Sequence, residues 1–194
     1  MAFIRAIRFL KRVYFAIKYR NLTVLYDESI VMKNVIDCLK IILIKKDKVT
    51  YLETGSIRSY FEFHWSTYHV AKFIGENGNI ISIDNNANSI KIAKKVCNKF
   101  NNITFEYSDS VNFLKSNEKT IDLAFLDSAN NKNLIFDEFS EVIKNMDHNG
   151  IILIDDAGID KNGNNINSTV SSEKGHKVWE FLKNNNVEYD ILCT

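Results

Sequence analysis

The feature that most constrains this chain is a repeated pairing of a short apolar run with an acid, at spacings that leave room for one helix between runs. Val49-Thr50-Tyr51-Leu52 ends in Glu53 and continues into Thr54-Gly55-Ser56. Ile80-Ile81-Ser82-Ile83 ends in Asp84, thirty-one positions after Glu53. A run at 103–107 leads to Asp109, Ile121 to Leu126 leads to Asp127, and Ile151 to Ile154 leads to Asp155-Asp156. Helical spacing of apolar residues fills the intervals at 66–75, 87–100, 110–116 and 134–146. Near-continuous apolar strands alternating with helices predict βαβ units and a parallel sheet covered on both faces. The expected fold is a Rossmann-like three-layer α/β/α sandwich, its mostly parallel sheet holding six or seven strands, with two N-terminal helices in front of it.

At 194 residues the chain is long enough for one full core, and a net charge of +1 gives no global field that would draw nucleic acid. Charge is uneven, however. Residues 1–26 carry Arg5, Arg8, Lys11, Arg12, Lys18 and Arg20 before the first acid, Asp27. Residues 2–20 read as an amphipathic helix with Phe3, Ile7, Leu10, Tyr14 and Ile17 on one side. Three surfaces suit that side: the domain itself, a second copy of the chain in a homodimer, or an anionic membrane met peripherally; a nucleic-acid arm is the remaining reading, with no basic-aromatic groove signature following it. A second helix is expected over 29–46. We therefore divide the chain into N-terminal helices at 1–48 and a sheet-bearing unit at 49–194. No apolar run reaches the ~18–20 residues needed to span a membrane. Three dispersed cysteines, Cys38, Cys97 and Cys193, fit a reducing, cytoplasmic setting without a disulfide framework.

In a parallel sheet the acids at the strand ends lie along one edge, over the crevice where ligands bind. An acid after the second strand is placed to accept both hydroxyls of a ribose, which assigns Asp84. Gly55 allows close approach of backbone to ligand. Glu53 suits an amine-bearing part of a ligand, or fixes the loop. Asp109, in Ser108-Asp109-Ser110, can accept from an exocyclic amine of adenine. The turn Glu53-Thr54-Gly55 lacks the spacing G-x-G-x-x-G, which argues against a pyrophosphate on the following helix and against a nicotinamide-dependent oxidoreductase.

Over roughly residues 49–156 the chain resembles the class I S-adenosylmethionine-dependent methyltransferases. The carriers are Glu53-Thr54-Gly55, Asp84, Asp109 and Asp127. The resemblance implies S-adenosylmethionine as cofactor, bound by Glu53, Gly55, Ser56, Ser59, Asp84, Asn85, Asp109, Ser110 and Asp127. It implies methyl transfer to an oxygen or nitrogen of a small-molecule or sugar acceptor. The chain departs from the family in the stretch from Tyr60 to Trp65, an insertion that lengthens the first loop and places His64 near the site as a candidate base. A polar stretch at 157–172 and a final strand at 187–193 complete the reading.

Asp127, Asp155 and Asp156 follow neighbouring strands, and a divalent cation such as Mg2+ would relieve their repulsion. That arrangement is similar to the cation-dependent O-methyltransferases, whose Asp-Asn pair is here Asp-Asp, and whose lysine three positions after the first Asp is here Asn130, with Lys132 two later. The catalytic candidates are Asp127, His64 and Lys132, and the metal candidates Asp127, Asp155 and Asp156. A rival from another class is a degenerate nucleoside-binding or interaction module without catalysis.

Overall fold

The computed structural model describes residues 30–59, 65–160, 162, 164 and 174–190. The expected helix at 2–20, His64, and the last residues of the expected strand at 187–193 lie outside these.

Helix α1 (Ile30–Leu43) opens the described chain. Its Met32, Val35, Leu39 and Ile42 recur at spacings of three and four and are all buried. They meet the sheet through Tyr51, Ile80, Leu123 and Phe125, so α1 belongs to the same core as the strands. There follow β1 (Val49–Thr54), α2 (Ser66–Ile74), β2 (Gly78–Asp84), α3 (Ala87–Val96), β3 (Ile103–Tyr107), α4 (Ser110–Ser116), β4 (Ile121–Leu126), α5 (Lys132–Val142), β5 (Met146–Ile154) and α6 (His176–Asn184). No helix among the described residues is long and apolar enough to cross a membrane.

The strands pair in the order β3-β2-β1-β4-β5, every pair parallel. Successive strands step outward from β1 to β3, then the chain returns to the other side of β1 and continues to β5. The reversal falls between β1 and β4, and such switch points are where open α/β sheets bind ligands. Strand alternation sorts the two cores. Tyr51, Ile80, Leu123 and Phe125 face α1 and α2, whereas Leu52, Ile81, Ile83, Ala124 and Leu126 face α4, α5 and α6. The three-layer sandwich is as expected.

Among the described residues the sheet has five strands, fewer than the six or seven expected. Val187 to Asp190 form no ladder, and Val187 and Tyr189 are exposed. Their apolar-polar alternation satisfies a strand locally, but a strand exists only where an edge pairs with it. The opposite, amino end of the sheet is held by charge. Asp122 accepts from Lys46 Nζ at 2.5 Å and from the Thr50 amide at 2.7 Å, and Lys46 also reaches Asp147 at 2.6 Å.

Candidate active site

The site is built on three strand ends tied past their last ladder bonds. Gly55 N–H donates to Ile83 O at 2.8 Å, and Asp127 N–H donates to Thr54 O at 3.0 Å. Gly55 has φ +91°, and a Cβ there would stand 2.4 Å from the backbone oxygen of Asp127. Only glycine fits, since any side chain would drive β1 and β4 apart at the switch point.

Asp84 ends β2 half-buried. Its Oδ2 accepts from Ser56 N–H at 2.9 Å and its Oδ1 from Asn86 N–H at 2.7 Å. A carboxylate offers about four lone-pair sites, so each oxygen retains capacity for a ligand hydroxyl. Ser56 is held beside it by its hydroxyl, 2.6 Å from that of Ser82. Asn85 is exposed at the same turn. Asp109 is exposed and caps α4 through Asn112 N–H at 2.9 Å. Ser59 accepts from Trp65 Nε1–H at 3.2 Å through its carbonyl. Lys132 is the first residue of α5, half-buried behind its cap Asn131.

Two of the expected ligand side chains are engaged inside the protein. The Glu53 carboxylate is fully buried and accepts from the hydroxyls of Tyr51, Ser66, Thr67 and Ser82. Burial pushes its pKa up, and the four hydroxyls work against that rise. It fixes the first loop to the start of α2, the second role its position allowed. Ser110 is also buried, its hydroxyl donating to Glu138.

Glu138 itself was not expected. It is fully buried and accepts from Thr54 Oγ1 at 3.0 Å as well as from Ser110. Burial raises its pKa, with the hydroxyls and Lys174 opposing. Strand alternation explains the pair: Glu53 points into one helical layer and Thr54 into the other, where Glu138 meets it. A signal existed in the sequence, because Glu138 shares the buried stripe Ile135, Glu138, Phe139, Val142 of α5.

Asp127, just beyond β4, is about one-third exposed and receives Lys174 Nζ at 2.8 Å on Oδ1. Arg58 Nη2 donates to the backbone oxygens of Asp127 and Ser128 at 3.1 and 3.4 Å. Asp155 follows β5, and its pKa is raised by burial first, then by Asp127 and Asp156, with Lys174 opposing. Asp156 is exposed in the left-handed region at φ +48°. The expected metal set does not close: among the described residues no three acids, histidines or cysteines are arranged to hold an ion, and Lys174 already meets the first ligand. Lys174 escaped the sequence reading because it lies 47 positions from Asp127.

Residues 45–191 match the family model of a methyltransferase domain. No curated protein matches the sequence. Among solved structures, the chain is similar to the O-methyltransferase TomG from Streptomyces achromogenes, involved in tomaymycin synthesis and solved with S-adenosylmethionine, at TM-score 0.57 and 15% identity over 78% of this chain and 68% of that one. It is similar to a protein assigned as an rRNA-methylase from Clostridium thermocellum, at TM-score 0.57 and 17% identity over 78% of each chain. A protein assigned as an O-methyltransferase from Klebsiella pneumoniae gives TM-score 0.55 and 18% identity over 80% of this chain and 69% of that one. At these identities the likeness is one of fold.

Proposed function

Because the chain belongs to the methyltransferase-domain family, whose members depend on S-adenosylmethionine, we propose that it transfers the sulfonium methyl to an oxygen or nitrogen of a small-molecule or sugar acceptor. When bound, S-adenosylmethionine supplies an electrophilic methyl, and in-line displacement by the acceptor leaves the electron pair on sulfur and a proton to be removed. The observation that carries the reading is the β1/β4 switch point, where Gly55 leaves the backbone bare beside an Asp84 carboxylate fixed by two amides. In this reading Asp84 holds the ribose diol, with Ser56, Ser59 and Asn85 along the same turn. Asp109 takes the adenine side. Across the switch point Asp127 orients the acceptor and receives its proton, with His64 and Lys132 as the other candidates for that step. The edge formed by Asp127 and Asp155 is anionic, which suits a cationic sulfonium. Residues 2–20 are read as a docking surface for the domain, for a second copy or for an anionic membrane. Light scattering and liposome flotation of the full chain separate these.

The test is calorimetry with S-adenosylmethionine, S-adenosylhomocysteine and NAD. The first two are expected to bind at or below the micromolar range and NAD not at all, and Asp84→Ala is expected to abolish binding. Failure of all three to bind below about millimolar would leave the interaction-module reading standing.

A further inference from the structure

The ammonium of Lys174 is buried at the same strand edge. Its side chain is 2% exposed, and its Nζ lies 2.8 Å from Asp127 Oδ1. Asp155 and Glu138 both feel its charge. A lysine this buried is costly to desolvate unless carboxylates surround it, and here they do. Its position is set by backbone. Gly175 N–H donates to Ala157 O at 3.0 Å, and a Cβ at Gly175 would stand 2.8 Å from that of Ala157. This closed neck brings residue 174 back to the strand ends directly after β5.

A divalent cation needs a shell of oxygen ligands at about 2.0–2.6 Å. The ammonium occupies Asp127 Oδ1, and Asp156 is exposed at a left-handed backbone position. With the ammonium in place, the residues at this edge do not fit a metal.

We propose that Lys174 is the resident counter-cation of this site, standing where a divalent metal would bind, so that the chain holds and orients Asp127 without one. Lys174 is a positioning residue acting through Asp127. The inference rests on the carboxyl edge being the transfer site, and calorimetry with S-adenosylmethionine keeps the two readings apart.

Free Mn2+ is followed by electron paramagnetic resonance during titration of the full chain, and thermal melts are recorded with Mg2+ and with EDTA. Wild-type protein and Lys174→Arg are expected to take up no Mn2+ to about 1 mM, the weak end of natural cation sites. The wild-type melt is expected to be the same in Mg2+ and EDTA. Lys174→Met is expected to gain Mn2+ uptake, lost again when Asp127→Asn is added. Lys174→Gln provides a second opening of the site if the methionine variant does not fold. Mn2+ uptake by wild type that disappears in Asp127→Asn would overturn the proposal. So would a folded Lys174→Met or Lys174→Gln that gains none. Calorimetry with S-adenosylmethionine on the same proteins separates the two readings: if wild type fails to bind it, the cleft assignment falls, whereas normal binding with Asp127-dependent Mn2+ uptake defeats only the role of Lys174.

Discussion

A carboxylate sealed from water is stable only if donors surround it, and Glu53 and Glu138 each meet that condition with hydroxyls. Both receive them from the first turn of a helix: Ser66 and Thr67 of α2 reach Glu53, and Ser110 of α4 reaches Glu138. The positive ends of those helices add to the effect. The arrangement has a pH consequence. The pKa of Glu53 is raised in the folded chain, so above its ordinary value of 4.5 the folded state binds more protons than the unfolded one. Stability then falls as pH rises through that window. Glu53→Gln, which keeps the shape of the neutral form, is expected to lose less stability than wild type between about pH 4.5 and neutrality. Urea midpoints across a pH series read the difference, and parallel curves would remove Glu53 as the cause.

At the scale of elements, the site depends on how closely β1 approaches β4. Their ends touch at Gly55 and Asp127, and Arg58 clamps the same junction from the loop side. Gly55→Ala places a methyl against a backbone oxygen at a φ that side chains avoid. We expect a loss of about 1–3 kcal/mol, seen as a lower urea midpoint, together with weakened S-adenosylmethionine binding, because Asp127 and the first loop move together. A variant that binds normally at unchanged stability would show that the junction tolerates a side chain. The helices that follow the strands are anchored at the same edge. Asn86, Asp109 and Asn131 cap α3, α4 and α5, each accepting amide hydrogens that would otherwise be unpaired at the mouth of the crevice.

For the whole molecule, the crevice couples strands that are far apart in sequence, so a ligand in it stabilises the fold as a unit. At a hundredfold excess over its Kd, S-adenosylmethionine is expected to add about 2.7 kcal/mol. For a chain of this size that corresponds to a rise in Tm of roughly 5–10 °C. Asp84→Ala should show none of it. Differential scanning fluorimetry reads both, and equal shifts in the two proteins would place the ligand elsewhere.

The sequence by itself determined the order of strands and helices from 49 to 154, the acids at the strand ends, and the family. These follow from periodicity and from turn chemistry, which are local. It did not determine that Glu53 turns inward, that Glu138 and Lys174 lie beneath the same edge, or that Val187 to Asp190 go unpaired. Each of these depends on what stands opposite a residue in space. Glu53 lies 29 positions from its partner Ser82, Thr54 lies 84 from Glu138, and Asp127 lies 47 from Lys174. A buried charge is placed by partners brought together only when the sheet forms. Tertiary structure alone therefore decided that Lys174 meets Asp127.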